Sequence, residues 1–310
     1  MQLHHEAAAA GRVRQSSLGG YAAGLIAGMA YGANPLFGKD LLAGGAQVSS
    51  ILLFRYLIAL LCMGAVIAWR KGSIKINRKQ FEWMIMLGLF FSASSLTLFE
   101  AYKYVPAGLA TTVVYLYPVF TALIMVFLHQ KPSWQSWVSI AASLAGVVIM
   151  TGAGRSGSFS FTGIMLCVAS AFCYAMYLVI VNQSRRLAGV PADTITFYSL
   201  SIGALLYLLL CVRSGSPLTA GIEGAGDWLD LLGLGVIPTM VAMLALAIST
   251  KTIGPTKTAV LGVSEPLTAI AIGSLVFAEP FTADVAIGVA ICIASIMFMV
   301  LSEKKPSAAR

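Results

Sequence analysis

Charge is what this chain most lacks. Of its 310 residues only 12 are acidic and 20 basic, a tenth of the whole, where a soluble domain carries about 25%. So few hydratable groups cannot cover a water-exposed surface, and the 58% hydrophobic content leaves an apolar excess that must face lipid. No polar stretch is long enough to build a soluble domain. Cysteine offers no framework either. Cys62, Cys167, Cys173, Cys211 and Cys292 are odd in number, lie inside apolar runs and form no C-x-x-C pair, which argues against disulfide bridging and zinc. His4, His5 and His129 have no metal-ligand spacing, so no metal and no cofactor are expected. The chain also lacks a G-x-x-x-x-G-K-[ST] loop and any Ser-His-Asp or paired-carboxylate arrangement. Pumping driven by ATP within this chain, and catalysis, are therefore not expected.

What is present is apolar runs of span length. They fall near 18–37, 48–69, 81–104, 107–128 and 134–152, then near 162–181, 194–212, 228–250, 258–277 and 282–302. Each is continuous rather than alternating, which points to helices and away from barrel strands. The expected fold is an all-α membrane protein of ten transmembrane helices. Connectors are short and rich in turn-formers, such as Gly44-Gly45 and Gly72-Ser73. Arg12 and Arg14 precede the first run, but that run is span-length and lacks a convincing cleavage site, so it reads as a retained helix.

The net charge of +8 is an orientation signal rather than a nucleic-acid signal. With the N-terminus inside, the inner segments hold Arg12, Arg14, Arg70, Lys71, Lys75, Arg78, Lys79, Lys131, Arg185, Arg186, Lys251, Lys257, Lys304, Lys305 and Arg310. The outer ones hold only Lys39, Lys103, Arg155 and Arg213. By the positive-inside rule both termini are expected in the cytoplasm. No nucleic-acid partner is expected.

An internal duplication organises the chain. A shift of 148 brings Pro118 onto Pro266, Pro132 onto Pro280 and Lys103 onto Lys251; a shift of 143 brings Tyr31 onto Tyr174. The halves are expected at 18–153 and 159–303, between a cytoplasmic N-terminal tail (1–17) and a C-terminal one (304–310). Five helices is an odd number, so the second half must enter the membrane inverted. Inverted repeats suit alternating access, in which two pseudo-equivalent halves expose one midplane site to either side in turn. In the first helix Gly20, Gly24, Gly28 and Gly32 make overlapping G-x-x-x-G steps, a stripe that permits close backbone contact.

The segments 101–150 and 250–300 each resemble an EamA repeat, with Pro118 and Pro266 at the family's proline positions. A Gly-Glu pair usual at the end of the fourth helix is absent from the first half, where His129-Gln130-Lys131 stands, and survives partly as Ala278-Glu279-Pro280. The resemblance covers 18–303 and identifies the chain as a member of the drug/metabolite transporter superfamily. It implies a central cavity lined by helices 1, 3, 4, 6, 8 and 9, and export of amino acids or small metabolites.

Ionisable residues inside the bilayer are costly and each needs a reason. Glu265, about 10 Å into helix nine, is read as a cavity carboxylate that takes up a proton or meets a substrate amine; the competing reading is a structural carboxyl beside the Pro266 kink. Arg55 and Glu100 lie at similar depth in the outer third of helices two and three and are expected to form a structural ion pair; the competing reading is substrate binding by either. Tyr31, Asn34, Ser95, Tyr117, Tyr174 and Tyr177 are expected, with Glu265, to wall the substrate cavity. Pro35, Pro118, Pro238 and Pro266 interrupt helices and are the candidate hinges. The function expected is secondary export of amino acids or similar metabolites by alternating access across the bacterial inner membrane, either proton-coupled or as a facilitator. A multidrug or nucleotide-derivative carrier is the alternative within transport, and a membrane scaffold or enzyme the alternative outside it.

Overall fold

The structure, a computed structural model, describes residues 18–105, 110, 113–130, 132–151, 160–215, 217–276 and 282–302. The expected tails and the join between the halves at 154–158 lie outside the described residues. Among those described the chain is helical, without strands. Helix α1 (18–32) is followed by α2 (Asn34–Ala43), α3 (Val48–Trp69), α4 (Arg78–Ala101), α5 (Tyr117–Phe127) and α6 (Trp134–Thr151). The second half holds α7 (Phe161–Gln183), α8 (Ala192–Ser214) and α9 (Ala225–Gly235), which runs through a π-helical turn (Val236–Val241) into α10 (Ala242–Ile253). Then come α11 (Pro255–Leu261), α12 (Ser264–Val276) and α13 (Ala283–Ser302).

Among the described residues six stretches are long and apolar enough to cross a membrane: α3, α4, α7, α8, Ala225–Ile253 and Pro255–Val276. Their outward faces are greasy. Leu61 is 73% exposed, Val212 71% and Leu275 85%, a distribution that water does not tolerate and lipid does. Trp69, Trp134 and Trp228 are exposed near helix ends, where amphipathic rings favour a membrane–water boundary.

Helix ends are set by local chemistry. The Asn77 side chain accepts from the Gln80 N–H at 2.8 Å, and the Gln80 side chain accepts from the Asn77 N–H at 2.9 Å, a reciprocal cap that opens α4. Gly215 closes α8 in the left-handed region at φ 67°, where a Cβ is disfavoured. Gly254 turns the chain from α10 into α11 at φ 88°.

Small residues then let the helices meet. Helix α4 packs on both α7 and α8, α3 on α8, and α6 on α13. Between α6 and α13, Ser295 donates to the Ser139 carbonyl at 2.8 Å, Ser139 donates to the Ser295 carbonyl at 3.3 Å, and the Ser143 and Ser295 hydroxyls meet at 2.7 Å. Apolar contact drives helix association weakly in lipid, so such bonds contribute to pairing. Ser295→Val breaks the Ser295 side-chain bonds. It is expected to cost about 0.6–1.7 kcal/mol, read as a lowered thermal midpoint in detergent; an unchanged midpoint would show that the serine ladder adds nothing.

Candidate functional site

Four prolines break the regular backbone around the bundle's middle. Proline lacks the N–H that a helix needs four residues back, so each can leave a carbonyl to find another partner. Helices α1 and α2 are separated by a turn at Ala33, before Pro35. Pro118 sits in the first turn of α5, and Pro266 in the first turn of α12 after a break at 262–263. Pro238 lies inside the π-helical turn. There the Leu234 carbonyl, left without its proline donor, accepts from the Thr239 hydroxyl at 2.6 Å.

A cavity of about 50 Å³ is lined by Tyr31, Asn34, Phe91, Ser94, Leu98, Val114, Ser170, Tyr174 and Glu265. Its walls come from α1 and α2, α4, the segment before α5, α7 and α12. One side is aromatic. The Tyr31 and Tyr174 rings meet edge to face at 6.1 Å, with Phe91 at 6.5 Å from Tyr31 and 6.2 Å from Tyr174. The other side is polar. The Tyr31 hydroxyl and Asn34 Oδ1 are buried without hydrogen-bond partners among the described residues. Glu265 lies in the first turn of α12, and among the described residues no cation pairs with it. Ser170 donates to the Ser94 carbonyl at 2.8 Å, joining α7 to α4 beside the cavity.

The candidates named from sequence therefore divide. Tyr31, Asn34, Tyr174 and Glu265 border the cavity. Ser95, Tyr117 and Tyr177 do not. The Ser95 hydroxyl meets the Tyr56 hydroxyl at 3.1 Å. Tyr117 packs edge to face behind Tyr174 at 4.7 Å and presses its hydroxyl against Gly262, while Tyr177 packs behind Phe91 at 5.1 Å. A helix turns 100° per residue, so Ser94 faces the cavity where Ser95 does not. Phe91, Ser94, Leu98 and Ser170 escaped the sequence reading. The signal was available for α4, whose Phe91, Ser94 and Leu98 recur at three- and four-residue spacing.

The expected Arg55–Glu100 ion pair is not formed. Glu100, one residue from the end of α4, pairs with Lys103 at 2.7 Å across one turn. Arg55 is buried about two turns deeper. Its Nε donates to Thr239 Oγ1 at 2.5 Å and its Nη2 to the Pro238 carbonyl at 3.2 Å. Depth along the helices, not charge, separates the two.

Beyond the cavity, at the bundle end formed by the α2–α3 turn and the end of α4, lies an open vestibule of about 600 Å³. Leu42, Gln47, Ser49, Phe99, Tyr102 and the Glu100–Lys103 pair are among its walls. The opposite end of the bundle is laced shut. Lys251 donates to the Leu187 and Val190 carbonyls, Asn182 donates to the Thr250 carbonyl at 2.8 Å, and Gln130 joins Gln183.

Comparison with known proteins places this arrangement. A solved crystal structure 21% identical, covering 93% of this chain and 99% of its own, superposes with a TM-score of 0.77; that likeness shows the fold alone. An uncharacterized transporter, YdfC of Bacillus subtilis, is 25% identical over 267 residues, 84% of each chain. One from Archaeoglobus fulgidus is 26% identical over 193 residues, 61% of this chain and 66% of its own length. The aromatic amino acid exporter YddG of Ancylobacter novellus is 31% identical over 159 residues, 49% of this chain and 53% of its own. The match thus spans less than two thirds of the last two relatives. The model of the EamA-like transporter family matches residues 18–152 and again 161–301. Matched twice, over nearly its whole length, this membrane chain belongs to the EamA-like transporter family.

Proposed function

We propose that this chain exports amino acids, aromatic ones among them, by alternating access across the bacterial inner membrane. One observation carries the reading: a cavity that sets a carboxylate (Glu265), an amide oxygen (Asn34) and a hydroxyl (Tyr31), none with an ion-pair or hydrogen-bond partner among the described residues, beside an aromatic wall. Buried polar atoms without partners are costly, so they mark places where a ligand or water completes the bonding. Two acceptors and a hydroxyl suit an ammonium group, and edge-to-face rings suit an aromatic or other apolar side chain. The name of the Ancylobacter relative agrees with this chemistry. Among the described residues no Lys or Arg lines the cavity.

The architecture proposed is ten spans in two inverted halves, 18–153 and 159–303, with both termini cytoplasmic. The helix pairing supports a two-fold relation. The second and seventh runs (α3 and α8) pack on each other, as do the fifth and tenth (α6 and α13). The contact of α5 with α7 is answered by that of α1 with α11 and α12. In this arrangement the vestibule opens outward and the laced end faces the cytoplasm. A cavity of about 50 Å³ holds a few waters and is far smaller than ordinary ligand pockets of about 300 Å³ or more. Loading therefore requires the lining helices to part, with Pro35, Pro118, Pro238 and Pro266 as hinges.

The test is uptake of radiolabelled amino acids into liposomes holding the purified protein, with and without a pH gradient. Saturable uptake of at least one aromatic amino acid is expected. Absence of movement of every amino acid under every gradient would sink the reading.

A further inference from the structure

Arg55 is the residue that the proposed cavity does not explain. It is 2% exposed and sits about 10 Å along α3 from Val48. Among the described residues the ion pairs are Arg78–Glu82 and Lys103–Glu100, so no carboxylate partners it. A guanidinium keeps its proton in any protein environment, and a charge buried in a membrane protein is expensive to hold. Arg55 does have a structural duty, since its bonds to Thr239 and the Pro238 carbonyl tie α3 to the π-helical turn. Both of those partners are neutral oxygens, however. A neutral donor such as an amide meets the same need, so the duty does not account for a permanent cation.

The surroundings suggest what does. On its other side the guanidinium carbon lies 5.5 Å from the centre of the Phe99 ring. Phe99 lines the outer vestibule, while its neighbour Leu98 lines the small cavity. The ring therefore stands between the buried cation and the open volume, at the junction of the two spaces.

We infer that Arg55 is the anchor for the substrate's carboxylate, uncovered when the Phe99 ring swings aside, with Glu265 and Asn34 taking the ammonium at the other end. The inference rests on the amino-acid reading above and adds its second pole. Planar bidentate donors make Arg suited to a carboxylate, and while no substrate is bound the ring face and two neutral oxygens shield the cation.

The test compares L-phenylalanine, L-phenylalaninamide and 2-phenylethylamine as ligands of the purified full-length protein in detergent. The three share the ring and the amine, and only the first carries a carboxylate. Wild type is expected to bind phenylalanine about 10- to 100-fold more tightly than the other two, as a charge-assisted bond implies. Arg55→Gln is expected to erase that preference while changing binding of the amide and the amine little, and Arg55→Lys to retain part of it. A folded Arg55→Gln protein that still prefers phenylalanine would overturn the inference. So would a wild-type protein that binds the amide as tightly as the acid, and this arm decides the matter even where the Gln variant does not fold. Binding of all three without preference leaves the amino-acid reading standing and removes Arg55 from it; binding of none removes both.

Discussion

Glu265→Gln is expected to lower amino-acid flux about 2- to 30-fold and to flatten its response to a pH gradient. The substitution keeps the size of the side chain and its capacity to accept a hydrogen bond, but removes a carboxylate with no paired cation among the described residues. A charged acceptor holding an ammonium contributes about 1.5–3 kcal/mol, against about 1 kcal/mol for a neutral one. If Glu265 also carries the proton, the variant can still bind but cannot couple, so gradient-driven flux falls further than exchange of labelled for unlabelled substrate. The measurement is paired: counterflow without a gradient, and net flux with one. Gradient dependence equal to that of wild type would return Glu265 to a structural role beside Pro266. Equal flux in both assays would remove it from the substrate site as well.

Gly32→Ala is expected to damage both stability and transport, although it adds only a methyl group. A Cβ at this position falls 2.4 Å from the Glu265 carbonyl oxygen and 2.6 Å from Thr268 Cβ. The first of these is backbone and cannot swing aside, so α1 and α12 must separate. Gly28 makes the same approach, to Ser264 Oγ at 2.1 Å and the Glu265 nitrogen at 3.2 Å. Overpacking of this kind costs about 1–3 kcal/mol, or about 2–10 °C in thermal midpoint. Glu265 lies on the displaced segment, so binding weakens too. Gly19→Ala is the control: nothing lies within 4 Å of a Cβ there, and no loss is expected. Equal midpoints for the Gly19 and Gly32 variants would show that the stripe is not a tight interface.

The glycine stripe illustrates how far the sequence could be read. Its four-residue spacing announces a close helix contact, because G-x-x-x-G has few other uses in an apolar helix. Which helix it meets is not written in that spacing. The structure sets Gly20 against Thr252 and Ile253, Gly24 against Ser249 and Leu261, and Gly28 and Gly32 against Ser264, Glu265 and Thr268. The neighbourhood of Glu265 is therefore built by a helix more than 200 residues away in the chain.

Arg55 and Ser95 show the opposite case. Depth counted along two apolar runs placed Arg55 level with Glu100, but α4 ends at Ala101 and leaves Glu100 free to pair with Lys103. The true partners, Thr239 and the Pro238 carbonyl, exist as acceptors because the π-helical turn presents them, and a π-helical turn has no reliable sequence signature. Ser95 failed by one residue. A polar patch of Ser92, Ser94, Ser95 and Thr97 spreads over a helix face and a half, and only packing decides which hydroxyl meets the cavity.

What the sequence determined by itself was the class of the molecule and the inventory of its membrane-embedded polar groups. Scarcity of charge, span-length apolar runs and the repeated proline positions are properties of composition and spacing, and the bilayer enforces them on each segment separately. The tertiary structure decided pairing. Side chains 100° apart on a helix meet different neighbours, and the crossings that bring Tyr31, Asn34, Tyr174 and Glu265 around one cavity, and leave Arg55 behind Phe99, depend on how small residues from distant helices fit together. That fit is a property of several helices at once, and no single run of the sequence contains it.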